Sequence, residues 1–240
     1  MTVRRLVVGS TVALMIGLVL APPVNAQSER VPEAAVVDGV PRGLFVGRSL
    51  LTGRAICLLF LSNGRITRFI PAGGLDRFDW ARHRADHGGD SGTWSIRGDQ
   101  LRITWGDGGV HDGPLKVTPN GIEFYGKRYA RPAVIPASAL AGTWEAARGT
   151  AITGGSGVNA VTTLTISADA TYRWSGVVGG VVTGRAVASE KAMAGTITVS
   201  GPTITLRAGD GTVTSHTFLP LAGNPVTAFT LDADAFTRVR

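Results

Sequence analysis

The chain reads as an all-β protein made of two similar small antiparallel β-barrel or sandwich modules in tandem, with one short helix inserted in the first. Three observations lead there. Apolar and polar residues alternate along short runs such as Thr162 to Ile166, Ile197 to Val199 and Ile204 to Leu206, as half-buried antiparallel strands do. Turn dipeptides that reach positive φ at little cost divide the runs: Asn63-Gly64, Asp107-Gly108, Asn120-Gly121, Gly179-Gly180 and Asp210-Gly211. The pattern also recurs, since Ser91 to Gly108 lies over Ala194 to Gly211 without a gap and with six of 18 positions identical. The long crossovers that parallel strands require are missing from the pattern.

In chain order, Met1 to Ala26 has a basic start at Arg4 and Arg5, an apolar run from Leu6 to Ala21, and a Pro22-Pro23 break before Val24-Asn25-Ala26. These are the three parts of a cleaved secretory signal, and a 16-residue run is short of the about 20 that span a membrane. Residues 27–42 are expected as a flexible linker, 43–132 as the first β module, 133–139 as a second linker and 140–240 as the second module. Leu59 to Phe69 matches Leu164 to Trp174, and Tyr129-Ala130-Arg131 matches Phe236-Thr237-Arg238. Three blocks thus recur in one order at offsets of 103 to 107, the mark of a duplicated unit. The spacing predicts one helix over 76–87, with Asp76 as N-cap, Gly88-Gly89 as stop and an apolar stripe of Phe78, Ala81 and Ala85. It would cover an open end of the first sheet.

With 44% hydrophobic and 17% charged residues the chain can bury a core, which excludes disorder. A single cysteine, Cys57, excludes an internal disulfide framework; within Ala55 to Leu61 it reads as a buried small apolar residue. Signal removal leaves 22 basic and 17 acidic residues, spread over both modules. That distribution gives no nucleic-acid footprint and allows only unspecific attraction to an anionic surface. After cleavage no stable membrane span is expected, so the mature chain is read as periplasmic or secreted.

Leu140-Ala141-Gly142-Thr143-Trp144 opens the second module, and Leu164 to Tyr172 and Gly195 to Gly201 follow it. This arrangement resembles the lipocalin-like, or calycin, pattern of short bacterial secreted β-barrels, a largely uncharacterised group. The first module departs from it, having Gly43-Leu44-Phe45 at its start. The resemblance implies small-molecule binding inside the barrel and a packing role for Trp144 at the closed end. Strands this short leave little internal volume, because an eight-stranded barrel just holds its own side chains or one small ligand.

Candidate chemistry is sparse. On the predicted helix Asp79, His83 and His87 fall on one face, so they could present N and O ligands to Zn²⁺, although Arg84 stands where a metalloprotease helix has its Glu. A solvated polar face accounts for the same residues. Gly89-Asp90-Ser91-Gly92 has a serine-protease tetrapeptide without its His, and Trp105 to Asp112 reads as a hairpin turn. No catalytic residue and no cofactor is expected. The leading expectation is an exported non-enzymatic protein that binds a small apolar molecule or a cell-envelope component. The alternatives are an interaction or inhibitor module acting on another envelope protein through its outer surface, and a metal-binding protein through the 76–87 helix.

Overall fold

The computed structural model describes residues 29–48, 55–152, 156–182, 185–222, 225–232 and 234–239, so the expected signal segment lies outside the described residues. The first module comprises β1 (Ala35–Val37), β2 (Val40–Arg48), β3 (Ala55–Phe60), β4 (Arg65–Thr67), α1 (Trp80–Asp86), β5 (Ser91–Arg97), β6 (Gln100–Trp105), β7 (Val110–Thr118), β8 (Gly121–Phe124) and β9 (Lys127–Ala130). Consecutive strands pair antiparallel, and β9 returns to β2 through Val46↔Ala130 and Gly47↔Tyr129, closing eight strands into a barrel. The second comprises β10 (Gly142–Ile152), β11 (Ser156–Ile166), β12 (Thr171–Val182), β13 (Arg185–Ser200), β14 (Thr203–Ala208), β15 (Val213–Ala222), β16 (Ala228–Leu231) and β17 (Asp234–Arg238). It closes where β17 meets β10. Among the described residues the protein is therefore two eight-stranded antiparallel barrels in tandem with one α-helix.

Equivalent hydrogen bonds show the duplication residue by residue. Gly106 N–H donates to Ser91 O at 2.7 Å as Gly209 N–H donates to Ala194 O at 2.9 Å. Leu115 N–H donates to Asp99 O at 2.7 Å as Phe218 N–H donates to Pro202 O at 2.8 Å, which fixes an offset of 103 across the middle of each module. Arg131 N–H reaches Asn120 O as Arg238 N–H reaches Thr227 O. One block needs correction. Gly64 N–H donates to Leu61 O and Ala170 N–H to Ser167 O, and both turn residues have positive φ, so this block is offset by 106, not 105. A slip of one residue exchanges the faces of a strand, and the corrected register superposes inward Leu58 and Phe60 on inward Leu164 and Ile166. The closing pairs also set Gly43-Leu44-Phe45 on Gly142-Thr143-Trp144, so the first module does carry a counterpart of the aromatic opening.

Gly92 and Gly195, identical in the repeat, share one physical cause. A Cβ at Gly92 would lie 2.2 Å from Thr104 O, and one at Gly195 would lie 1.9 Å from the equivalent Arg207 O. Gly195→Ala should therefore cost about 1–3 kcal/mol through overpacking. A urea midpoint unchanged from the parent would contradict this close approach.

Three expectations change. Residues 27–42 are not a flexible linker throughout: Glu29 and Phe78 exchange backbone hydrogen bonds at 3.0 and 2.9 Å, and β1 and β2 form a hairpin at Asp38-Gly39, where both φ are positive. The expected helix over 76–87 is shorter, because Asp79 and not Asp76 is the cap, accepting from Arg82 N–H at 3.0 Å. Strand lengths also exceed expectation in the second barrel, where β10 to β13 have 11, 11, 12 and 16 residues.

Strand β3 is buried on both faces, which explains its unbroken apolar run. Leu58 and Phe60 enter the first barrel, while Cys57, Leu59 and Leu61 join an outer cluster with Val31, Leu75, Phe78 and Leu219. Leu219 comes from β15 of the second barrel, so this cluster also joins the modules. Leu75 N–H donates to Thr203 Oγ1 and Gly73 N–H to Asp232 Oδ1, each at 3.1 Å, fastening the loop before α1 to the second barrel.

Candidate functional site

Among the described residues the two barrels differ in what fills them. Trp144, Phe218, Phe229 and Phe236 are 0% exposed inside the second, with ring centroids 4.7 Å apart for Trp144 and Phe229 and 5.4 Å apart for Phe229 and Phe236. Trp174 adds to the fill, 5.8 Å from Phe236 and stacked 6.1 Å from His216. At the other end Trp144 Nε1–H donates to Leu140 O at 2.8 Å, and Arg238 lies over its indole at 4.4 Å.

The first barrel contains a cavity of about 280 Å³ whose floor is formed by interior side chains, among them Leu58, Ile103, Trp105, Phe124 and Tyr129. Its rim is polar. Arg68, at the end of β4, donates to Asp90 at 2.7 Å and to Asp107 at 2.8 Å, and its guanidinium covers Trp105 at 4.8 Å. The backbone N–H of Gly109, and then Arg68, hold the Asp107 carboxyl below the usual carboxylate range. Across the opening His111 stacks on Tyr125 at 4.8 Å, and its Nδ1 accepts from Trp105 Nε1–H at 3.4 Å. Burial, and then Arg68 and Lys127, lower its pKa, so the neutral imidazole faces the cavity. Lys127 is exposed on the rim without an ion pair among the described residues. The cavity thus offers an aromatic and aliphatic floor beneath cations and a neutral imidazole. Such a surface can hold a small amphipathic molecule.

The duplication explains why this end is open. By the shared register Arg68 corresponds to Trp174 and Asp90 to Met193, which pair across β12 and β13 and pack on the second core. An apolar pair in one barrel is an ion pair in the other. Sequence reasoning missed Arg68, Asp90, His111 and Lys127. The signal that could have found them is the contrast between modules at equivalent positions, legible only once the 106 offset is known.

Of the residues singled out as metal candidates, the structure brings His83 and His87 together, with ring centroids 5.1 Å apart. Asp79 caps α1. His83 points inward, 7% exposed, with Nε2 2.8 Å from Thr67 Oγ1. That hydroxyl donates to Asp90 O at 3.2 Å, so Nε2–H is the donor toward Thr67. His87 stacks on Phe69 with centroids 3.7 Å apart. Among the described residues no group of three or more His, Cys, Asp or Glu is placed to hold a metal ion. The face expected to be solvated is the buried one, and the expected apolar Ala81 and Ala85 are exposed. Cys57 is buried, its thiol donates to Arg68 O at 3.4 Å, and burial pushes its pKa up to about 12. Among the described residues no helix is long and apolar enough to cross a membrane.

Comparison of the chain with protein family models, with curated proteins and with solved structures finds no match.

Proposed function

We propose that the protein is an exported, non-enzymatic binding protein of lipocalin-like type, and that its first barrel holds a small amphipathic molecule. The observation that carries the reading is the unfilled end of that barrel beside a second barrel packed with its own aromatics. The apolar part of the guest lies against Trp105, Ile103 and Phe124, and its polar end faces Lys127 and Arg68. A cavity of about 280 Å³ lies just below the range of ligand pockets, about 300–1,000 Å³, which favours a compact guest. The aromatic openings at Phe45 and Trp144, with Arg238 stacked on the latter, support the lipocalin-like assignment.

The test transplants the fill of the second barrel into the first. In Arg68→Trp/Asp90→Met, binding of an anionic aromatic dye such as anilinonaphthalene sulfonate should weaken at least tenfold. A small molecule seen by native mass spectrometry on the purified parent should be lost. A variant that keeps the dye affinity and the adduct of the parent would refute a guest in this barrel.

The filled second barrel favours another role for that half, as an outer surface for a protein partner. Val161 and Val177, directly paired between β11 and β12, are 43% and 49% exposed there.

A further inference from the structure

A larger concavity of about 620 Å³ lies outside both barrels, between them. Its floor is apolar and comes from both modules: Val46 of β2, Ala130 of β9, Pro132 and Ala133 of the connection, and Leu219 and Pro220 of β15. Its rim is cationic, with Arg48, Lys127, Arg128 and Arg131, and among the described residues no acidic side chain lines it. Of the four only Arg128 has an ion-pair partner among the described residues, Glu123 at 3.8 Å, and Arg128 is 89% exposed there. Arg48, Lys127 and Arg131 thus line one apolar trough without an ion-pair partner among the described residues. Like charges gathered without counter-ions raise the local potential and attract anions, and guanidinium forks match phosphate oxygens in particular.

We infer that this inter-module groove, which shares only Lys127 with the lining of the barrel cavity, is a second ligand site for a phosphomonoester carried on a short alkyl or acyl chain. The volume lies within the range of small-molecule sites. Three unpaired cations fit a head group with a charge near −2 better than a single carboxylate. The chain occupies the floor between Val46 and Leu219, and the head group lies among Arg48, Arg131 and Lys127. Since Leu219 and Pro220 belong to the second barrel, the site exists only with the modules docked, which gives the tandem arrangement a use that neither barrel has alone.

Calorimetric titration of the full chain with dodecyl phosphate, below its micelle concentration, tests this. Arg48→Gln/Arg131→Gln should bind at least tenfold more weakly than the parent, while Arg68→Trp/Asp90→Met should bind as the parent does. Inorganic phosphate and dodecanol should each bind at least tenfold more weakly than dodecyl phosphate. Equal affinity of the Arg48→Gln/Arg131→Gln variant and the parent, or of dodecanol and dodecyl phosphate, overturns the site. Equal affinity of inorganic phosphate would show that the trough takes no chain, and loss only in the Arg68→Trp/Asp90→Met variant would place the ligand in the barrel instead.

Discussion

Trp144→Ala is expected to destabilise the second barrel by about 3–5 kcal/mol, a large part of the stability of a typical domain. The indole is 0% exposed, so its removal leaves a cavity where Phe229 stood 4.7 Å away and Arg238 lay 4.4 Å over the ring. The Leu140 carbonyl loses the Nε1–H donor it holds at 2.8 Å, and a buried acceptor left unpaired adds to the cost. Arg238 loses its stacking surface but keeps its hydrogen bond to Ala141 O at 2.9 Å, which limits the collapse of that end. Phe45→Ala should behave alike in the first barrel, because Phe45 occupies the equivalent position, is also 0% exposed and meets Phe60 edge-on at 6.0 Å. Urea unfolding of both variants measures this. A loss of less than about 1 kcal/mol at Trp144 would mean that the indole does not close the barrel.

Much of this architecture was legible because it depends on local rules. The Gly-Asp-Gly turns at 106–108 and 209–211 recur because each Asp side chain accepts from the backbone N–H two residues on, Gly109 at 2.9 Å and Thr212 at 2.8 Å. Alternation gave the inward residues of β14, Ile204 and Leu206, correctly, and the gapless repeat places them on inward Leu101 and Ile103 of β6. The helix face was not legible. Periodicity set polar against apolar on 76–87, but the space above β4 already held Thr67 and Phe69, so two imidazoles turned inward and two alanines faced solvent. The hairpin at Asp38-Gly39 carried the same signal as the other turns, yet its strand β1 has three residues and shows no alternation to read. The barrel cavity was illegible for a different reason. Arg68 and Asp90 lie 22 residues apart and acquire meaning only when β4 and β5 bring them together opposite Trp105.

The inward turn of His83 makes stability depend on pH in a defined window. Burial, and then the neighbouring His87, depress its pKa from 6.5 to about 4, while Asp86 and Asp90 oppose the shift. The unfolded chain therefore binds a proton between pH 6.5 and 4 that the folded chain refuses, and stability rises with pH wherever the unfolded state holds more protons. The contribution is complete above pH 6.5 and is lost as pH falls toward 4. At 1.36 kcal/mol per pKa unit it amounts to at most about 3 kcal/mol. Protonation would place a charge beside Phe78, whose ring centroid is 5.2 Å away. Asp107, Asp169 and Asp210 have depressed pKa values, so their contributions fade only as pH falls below the ordinary carboxylate value, outside the His83 window. In His83→Gln the amide can still donate to Thr67 but does not titrate. Urea midpoints of the parent should fall steeply from pH 7 to 4, and those of the variant should fall less over the same range; parallel curves would show that His83 accepts its proton as readily in the fold as in the unfolded chain.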